Sequence, residues 1–107
     1  MSLKSLGIAA AVAFLGLAPL AHATEVVVTQ EGKQFSEKSL TIKVGDSVKF
    51  VNKDDITHDV HSSTDGYDFD LGAQQPGTDA SYTFAKPGTV QVRCAIHPKM
   101  KLDVTVE

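Results

Sequence analysis

Cysteine is almost absent from this chain. Its 107 residues include a single cysteine, Cys94, and no tryptophan. One cysteine cannot form an intramolecular disulfide, so the disulfide frameworks that stabilise many small exported domains are excluded. A lone cysteine in an exported chain is instead paired with another molecule, a reactive thiol or a metal ligand. A bound metal would also protect the sulfur from oxidation.

Positive charge is scarce and dispersed. The chain has 10 Lys and Arg against 13 Asp and Glu, which gives a formal net charge of −3 at neutral pH. Nucleic-acid-binding proteins concentrate positive charge on one surface, so this composition argues against a nucleic-acid partner. After residue 23 no apolar run is long enough to cross a bilayer, so we expect no membrane insertion of the mature chain.

Residues 1–23 have the features of a secretory signal peptide. Lys4 supplies a positive charge, residues 6–20 form a short apolar segment, and Ala21-His22-Ala23 matches a cleavage site with small residues at its first and third positions. We therefore predict cleavage after Ala23, export to the periplasm and one mature domain of residues 24–107. An uncleaved N-terminal anchor is the alternative.

The mature sequence alternates short strand-like segments with turns. Apolar and polar residues alternate with a period of two, which is typical of half-buried strands, in residues 40–44, 48–50, 82–84, 90–94 and 102–106. Turns are expected at Gly45-Asp46, with 48–50 as the return strand, and at Pro87-Gly88. The chain should thus be all-β, with about seven short strands in a sandwich or barrel. Residues 63–78 are expected to form a long surface loop.

Three candidate metal ligands lie in one short segment. Cys94, His97 and Met100 are spaced three residues apart, between two predicted strands. Pro98 cannot donate a hydrogen bond to a β-ladder and helps the chain turn back. Side chains with this spacing around a tight loop can converge on one point.

A fourth candidate, His58, lies on an upstream segment that also has the pattern of a strand. His58 has the parity of Ile56 and Val60, so its imidazole should face the core. Cys94 shares the parity of the valines in its own strand and should face the core as well. His61 has the opposite parity and should point away from the site.

The donor set predicts the metal. Two imidazoles, one thiolate and one thioether are the ligands of a blue-copper site, in which the Met bond is long and axial. Zinc is disfavoured because Met is a poor zinc ligand, and iron–sulfur clusters need several cysteines. We therefore predict one type 1 copper ion bound by His58, Cys94, His97 and Met100. Such a site suits both Cu(II) and Cu(I) and leaves no open position for a substrate, so we expect electron transfer and no catalysis.

These segments resemble those of the cupredoxins, and in particular the amicyanins. His58-Asp59-Val60-His61 is similar to their His-Asn-Val-His, and the spacing from Cys94 to Met100 is theirs. Plastocyanins and pseudoazurins, which have longer ligand loops, are more distant. The resemblance covers nearly all of the mature chain. It implies a Greek-key β-sandwich, copper on the four predicted ligands and transient docking of redox proteins near His97.

Three departures from the amicyanin pattern concern the surroundings of the site. Thr57 stands before the first His, where amicyanins have Pro. Asp59 stands where amicyanins have Asn, whose side chain ties the two ligand segments together. Lys99 replaces an aromatic residue beside the exposed His, which makes the docking surface more positive. Arg93, Lys99 and Lys101 either steer an acidic partner or are ordinary solvated charges.

Two other functions fit parts of the pattern. One is periplasmic copper storage or delivery, although delivery sites tend to be exposed and rich in Met and His. The other is an enzyme that uses Cys94 with His97 as a thiol nucleophile pair, which an inward-facing cysteine disfavours. We expect a monomeric electron carrier that exchanges single electrons with larger redox proteins.

Overall fold

The computed structural model describes residues 22–107, and the strands account for most of them. The strands are β1 (Glu25–Glu31), β2 (Gln34–Phe35), β3 (Ser39–Ile42), β4 (Ser47–Asn52), β5 (His58–Thr64), β6 (Tyr67–Gln74), β7 (Asp79–Thr83), β8 (Gly88–Cys94) and β9 (Lys101–Val106). No helix that could cross a membrane occurs in this part of the chain. The predicted signal peptide lies outside the described residues except for its last two positions.

The strands form two sheets that pack face to face. One sheet has the order β2-β1-β4-β7 and the other has the order β3-β9-β8-β5-β6. β1 is parallel to β4 and β3 is parallel to β9, whereas the remaining neighbours are antiparallel. The predicted all-β sandwich is confirmed.

The core consists of the inward-facing residues of both sheets. Valines and larger apolar side chains at every second position are fully buried, including Val48, Phe50, Val90, Val92, Leu102 and Val104. Full burial of one such side chain contributes about 1.5–3 kcal/mol. The alternating segments therefore explain why these strands pair in a fixed register, because a slip of one residue would expose every apolar side chain.

An aromatic cluster closes one side of the sandwich. Tyr67 and Phe69 come from edge strand β6, and Tyr82 comes from β7, the edge strand of the opposite sheet. The rings of Phe69 and Tyr82 stack with centroids 3.9 Å apart. Aromatic contacts thus join the two edge strands, and Phe84 packs edge-on against Tyr82 at 5.0 Å.

The prediction of a long loop at residues 63–78 was wrong. β5 continues to Thr64 and β6 runs from Tyr67 to Gln74, so the two strands form a hairpin. The turn passes through Gly66, whose φ of 83° favours glycine. Apolar residues at 67, 69 and 71 do alternate with acids, as expected for a strand. The acids were instead interpreted as loop residues, because β6 is an edge strand whose outward side chains are charged.

The turn expected at Gly45-Asp46 is present, but the prediction that the next strand returns beside the preceding one was wrong. β3 belongs to the five-stranded sheet and β4 to the four-stranded sheet, so the turn carries the chain from one sheet to the other. The carboxylate of Asp46 fixes this turn, because it accepts hydrogen bonds from the amides of Thr24 and Lys43, both at 2.9 Å. Both bonds lower the pKa of Asp46, and the bond from Thr24 has the larger effect.

We expect Tyr67→Phe to reduce the free energy of unfolding. The Tyr67 hydroxyl accepts a hydrogen bond from the Lys86 amide at 2.8 Å and donates one to the Lys86 carbonyl. Removing the hydroxyl leaves these backbone groups without their partner, which should cost about 1–3 kcal/mol in urea unfolding. Tyr82→Phe is the matched control, since the Tyr82 ring belongs to the same cluster but its hydroxyl does not bond to the backbone of Lys86. Equal losses in the two variants would contradict the assignment.

Candidate metal centre

The predicted ligands meet at one end of the sandwich. His58 is the first residue of β5 and Cys94 is the last residue of β8. These strands are antiparallel neighbours, and Cys94 lies directly opposite Val60. His97 and Met100 lie on the loop from β8 to β9. Residues that are 36 positions apart are therefore adjacent because of strand pairing.

Three of the four side chains form a close group of donor atoms. The Cys94 Sγ lies 3.6 Å from the His58 Nδ1 and 3.7 Å from the His97 Nδ1. All three donor atoms lie within 4.8 Å of one another. Nitrogen and sulfur atoms that bind one metal ion at about 2.0–2.3 Å lie roughly 3.5 Å apart. The observed separations fit a shared ion.

The exposure of these side chains differs. His58 is 0% exposed and Cys94 is 1% exposed, as the parity of their strands predicted, whereas His97 is only partly buried. Burial of the Cys94 sulfur and the His58 imidazole favours a role as metal ligands over a role as solvent-facing nucleophiles. His97 is the member of the group that lies nearest to the surface.

Met100 belongs to the same end of the molecule. It is 1% exposed, and its amide donates a hydrogen bond to the His97 carbonyl at 2.9 Å. This bond closes the turn that brings residues 97 and 100 together. The position of Met100 fits the donor set of a type 1 copper site, and its role as the axial ligand stays a prediction.

The backbone of Asp59 connects the two ligand segments. Its amide donates to the Cys94 Sγ at 3.4 Å, and its carbonyl accepts from the Ala95 amide at 2.8 Å. The tie between the two segments therefore does not depend on an Asn side chain at position 59, because backbone atoms make it.

Asp54 orients His58, a role that no sequence pattern predicted. The Asp54 Oδ2 lies 2.7 Å from the His58 Nε2, and the carboxylate also accepts the amides of Gly32 at 2.8 Å and Lys33 at 3.0 Å. A proton held on Nε2 leaves the Nδ1 lone pair free for a metal. The Lys33 amide is the main cause that lowers the Asp54 pKa, and the His58 hydrogen bond also lowers it. Only an acid four residues before the His hinted at this contact.

Buried amides hold the segment that carries Asp54. The Asn52 side chain donates to the carbonyls of Ile56 at 2.8 Å and Gln74 at 2.9 Å, and its Oδ1 accepts the Asp54 amide at 2.9 Å. Asn52 is 0% exposed and Gln74 is 4% exposed. Because the buried Asn52 side chain bonds to both Asp54 and Ile56, the segment before His58 has little freedom to move.

Two carboxyl groups lie beside the site on the outer face of the sheet. Burial raises the pKa of Asp59 to about 6, and a hydrogen bond to Asp70 adds to the rise. The same bond lowers the pKa of Asp70, whose Oδ1 also accepts the Gly72 amide at 2.8 Å. His61 is on this outer face as well, opposite Arg93, and takes no part in the donor group, as predicted.

We expect Asp54→Asn to weaken copper binding by about tenfold or more, as loss of a ligand's hydrogen-bond partner does in other metal sites. Asn keeps the shape but loses the charge that holds the His58 proton on Nε2. Competition against a chelator of known affinity would measure the change. Asp55→Asn, an exposed neighbour with the same change of charge, is the control. Unchanged affinity in Asp54→Asn would show that Asp54 does not position the ligand.

Asp59 should make the copper-free protein less stable as the pH rises from about 4 to 6. Its pKa is higher in the folded chain, about 6, than the ordinary value of 3.8, so in this window Asp59 binds more protons in the folded state than in the unfolded state. Asp59→Asn should remove that part of the slope in urea unfolding. Asp68→Asn, an exposed acid on β6, should keep it. The same slope in both variants would mean that Asp59 is not the titrating group.

Comparison with known proteins agrees with this geometry. The family model described as copper binding proteins, plastocyanin/azurin family, matches residues 22–107. The methylamine utilization protein MauL of Methylorubrum extorquens is 34% identical, over 97% of this chain and 92% of its own length. Amicyanin-alpha of the same organism is 32% identical, over 81% of this chain and 74% of its own. The structure of an oxidised proline-to-glycine amicyanin mutant has a TM-score of 0.72 at 27% identity, covering 78% of this chain and 82% of that one.

The matches and the donor group lead to one conclusion. The small proteins of this family are electron carriers and not enzymes, which agrees with the closed arrangement around Cys94. Two imidazoles with a thiolate and a nearby thioether are the donor set of type 1 copper. The chain therefore belongs to the plastocyanin/azurin family of copper-binding proteins and is an amicyanin-like cupredoxin.

Proposed function

We propose that this protein is an exported carrier that moves single electrons between larger redox proteins. The observation that carries the proposal is the difference in exposure within the donor group. Cys94 and His58 are buried, whereas His97 is partly exposed. A buried sulfur cannot meet a substrate, but an imidazole at the surface can contact another protein.

The surroundings of the donor group favour electron transfer over copper delivery. When bound, copper supplies a couple, Cu(II)/Cu(I), that stores one electron. Two hydrogen bonds hold the ligands: His58 Nε2 donates to the Asp54 carboxylate, and the Asp59 amide donates to the Cys94 sulfur. Held ligands rearrange little when the charge changes, whereas release of the metal would require them to separate.

The surface beside His97 has an apolar centre and a positive rim. A cavity of about 490 Å³ is lined by His97, Ile96, Pro98 and Lys33, among others, and Ile96 is 49% exposed. An adjoining cavity of about 460 Å³ is lined by residues that include Lys38, Lys99 and Lys101. We call these four lysines the lysine rim.

The lysine rim supports the proposal that the partner presents an acidic face. All four lysines are exposed, and within residues 22–107 none of them takes part in an ion pair. The only acid that lines either cavity, Asp103, lies 3.4 Å from Arg93. A chain with a net charge of −3 therefore has unpaired positive charge beside the exposed ligand. Lys33 and Lys38 come from the region around β2 and were not identified from sequence.

The periplasm is the proposed location, and the signal-peptide pattern of residues 1–23 supports it. An exported carrier would meet its partners outside the cytoplasm. Copper storage or delivery in the same compartment is the competing function.

The optical spectrum of the protein after addition of Cu(II) tests the proposed function. We expect an intense visible thiolate-to-copper absorption that a mild reductant bleaches and an oxidant restores. Cys94→Ser should lack this absorption because it removes the thiolate. A colourless wild-type product, or rapid transfer of copper from the coloured protein to an apo acceptor, would favour delivery instead.

Electron exchange with an acidic redox protein should slow as ionic strength rises, since salt screens opposite charges. Stopped-flow mixing with an acidic c-type cytochrome would measure this rate. The double variant Lys33→Gln, Lys99→Gln should reduce the rate at low salt and flatten the salt dependence. Lys49→Gln is the control, because Lys49 lies on β4 and faces Asp79 at 3.8 Å. Equal effects of the two sets of substitutions would argue against the lysine rim.

A further inference from the structure

Asp46 holds the nitrogen of the residue that begins the predicted mature chain. The Asp46 Oδ1 lies 2.9 Å from the Thr24 nitrogen, and the Thr24 carbonyl accepts the Ser47 amide at 3.0 Å. Asp46 is only 8% exposed. Thr24 is thus fastened at both its nitrogen and its carbonyl, one residue before β1.

If the chain is cleaved after Ala23 as predicted, the nitrogen in this contact becomes the α-amino group of the mature chain. Residues 22 and 23 are exposed and belong to no strand, so the bond between Ala23 and Thr24 is open to a processing peptidase. Hydrolysis breaks the C–N bond between these residues. Water supplies the OH of the new Ala23 carboxyl group and one hydrogen of the Thr24 amine, which takes a further proton from solvent at neutral pH.

We propose that Asp46 is a binding site for the α-ammonium group of Thr24 in the processed chain. Processing then replaces the neutral amide donor by an ammonium donor at the same carboxylate, so a hydrogen bond with one charged partner becomes an ion pair with two. A chain that starts one residue earlier keeps an amide at this position. A chain that starts one residue later has no nitrogen there. The site is therefore specific for one start of the mature protein.

The other charged residues near this turn do not take the place of Asp46 as the partner of the Thr24 nitrogen. The Lys43 side chain lies on the same turn and also lowers the Asp46 pKa. The carboxylate of Glu25 accepts a hydrogen bond from the Ser81 hydroxyl at 3.0 Å. Glu107 pairs with the turn through its backbone, since its carbonyl accepts the Val44 amide at 3.2 Å. Asp46 is thus the acid placed to receive the ammonium.

The consequence is a chain that becomes more stable when it is processed. β1 lies between β2 and β4, and its far end leads to the Gly32–Lys33 turn that Asp54 holds. An ion pair at the start of β1 would stabilise this strand only after cleavage. The inference rests on the export that belongs to the proposed function, but not on copper binding or electron transfer.

A double-mutant cycle on the copper-loaded protein tests the pair. The four chains start at Thr24 or at Ala23 and carry either Asp46 or Asp46→Asn. We expect Asp46→Asn to raise the unfolding equilibrium constant roughly threefold to fivefold more in the chain that starts at Thr24, as partly exposed ion pairs do. Equal effects in the two chains would overturn the proposal.

Two measurements on the unsubstituted protein apply even if Asp46→Asn does not fold. The mass of the protein recovered after export should correspond to a start at Thr24, and any other start would overturn the proposal. NMR titration of the reduced, copper-loaded Thr24 chain should give an α-amino pKa above the ordinary value of about 7.7–8.0. An ordinary value would also overturn it. A correct start and a raised pKa in a protein without the blue absorption would leave the proposal standing and reject only the electron-carrier function.

Discussion

The pairing of β5 with β8 is the contact on which the metal centre depends. It places the first residue of one strand, His58, beside the last residue of the other, Cys94. Both strands are interior to the five-stranded sheet, and their inward valines are fully buried. A shift of either strand by one residue would turn its own ligand, His58 or Cys94, outward. The energy that keeps the ligands in place is therefore the energy of the core, and the site needs no disulfide to hold it.

The hydrogen bonds around the donor group serve the same end. Asp54 joins His58 to the turn after β1, and Asn52 joins the segment before His58 to β6. The bonds of Asp54 with Gly32 and of Asn52 with Gln74 each link residues 22 positions apart. Together they restrain the ligands, so that the ligand positions would change little when a bound metal ion changes charge. His97 stays close to the surface. The lysine rim lies beside that exposed ligand, where a docked partner would be nearest to the metal.

Much of the fold and of the candidate site could be predicted from the sequence. The period-two pattern located most of the strands and the inward direction of His58 and Cys94, because the two faces of a strand differ so strongly in exposure. The pattern failed where the two faces of a strand differ less in exposure, or where a turn leads to the other sheet. β6 is an edge strand with outward acids, and the turn at Asp46 leads to the opposite sheet, so neither follows from local alternation. Asp54 was missed because its partners at residues 32 and 33 are about 20 positions away.

The sequence by itself determined the chemistry of this protein: one thiolate, two imidazoles and a thioether, with three of them on a loop too short to keep them apart. That identification needs only residue types and spacing, since the donors choose the metal. The tertiary structure alone decided which groups surround those donors. It brought Lys33 to the side of His97, Lys38 to the adjoining cavity, and Thr24 to Asp46. Such contacts are set by how two sheets pack, and packing joins residues that no local pattern connects.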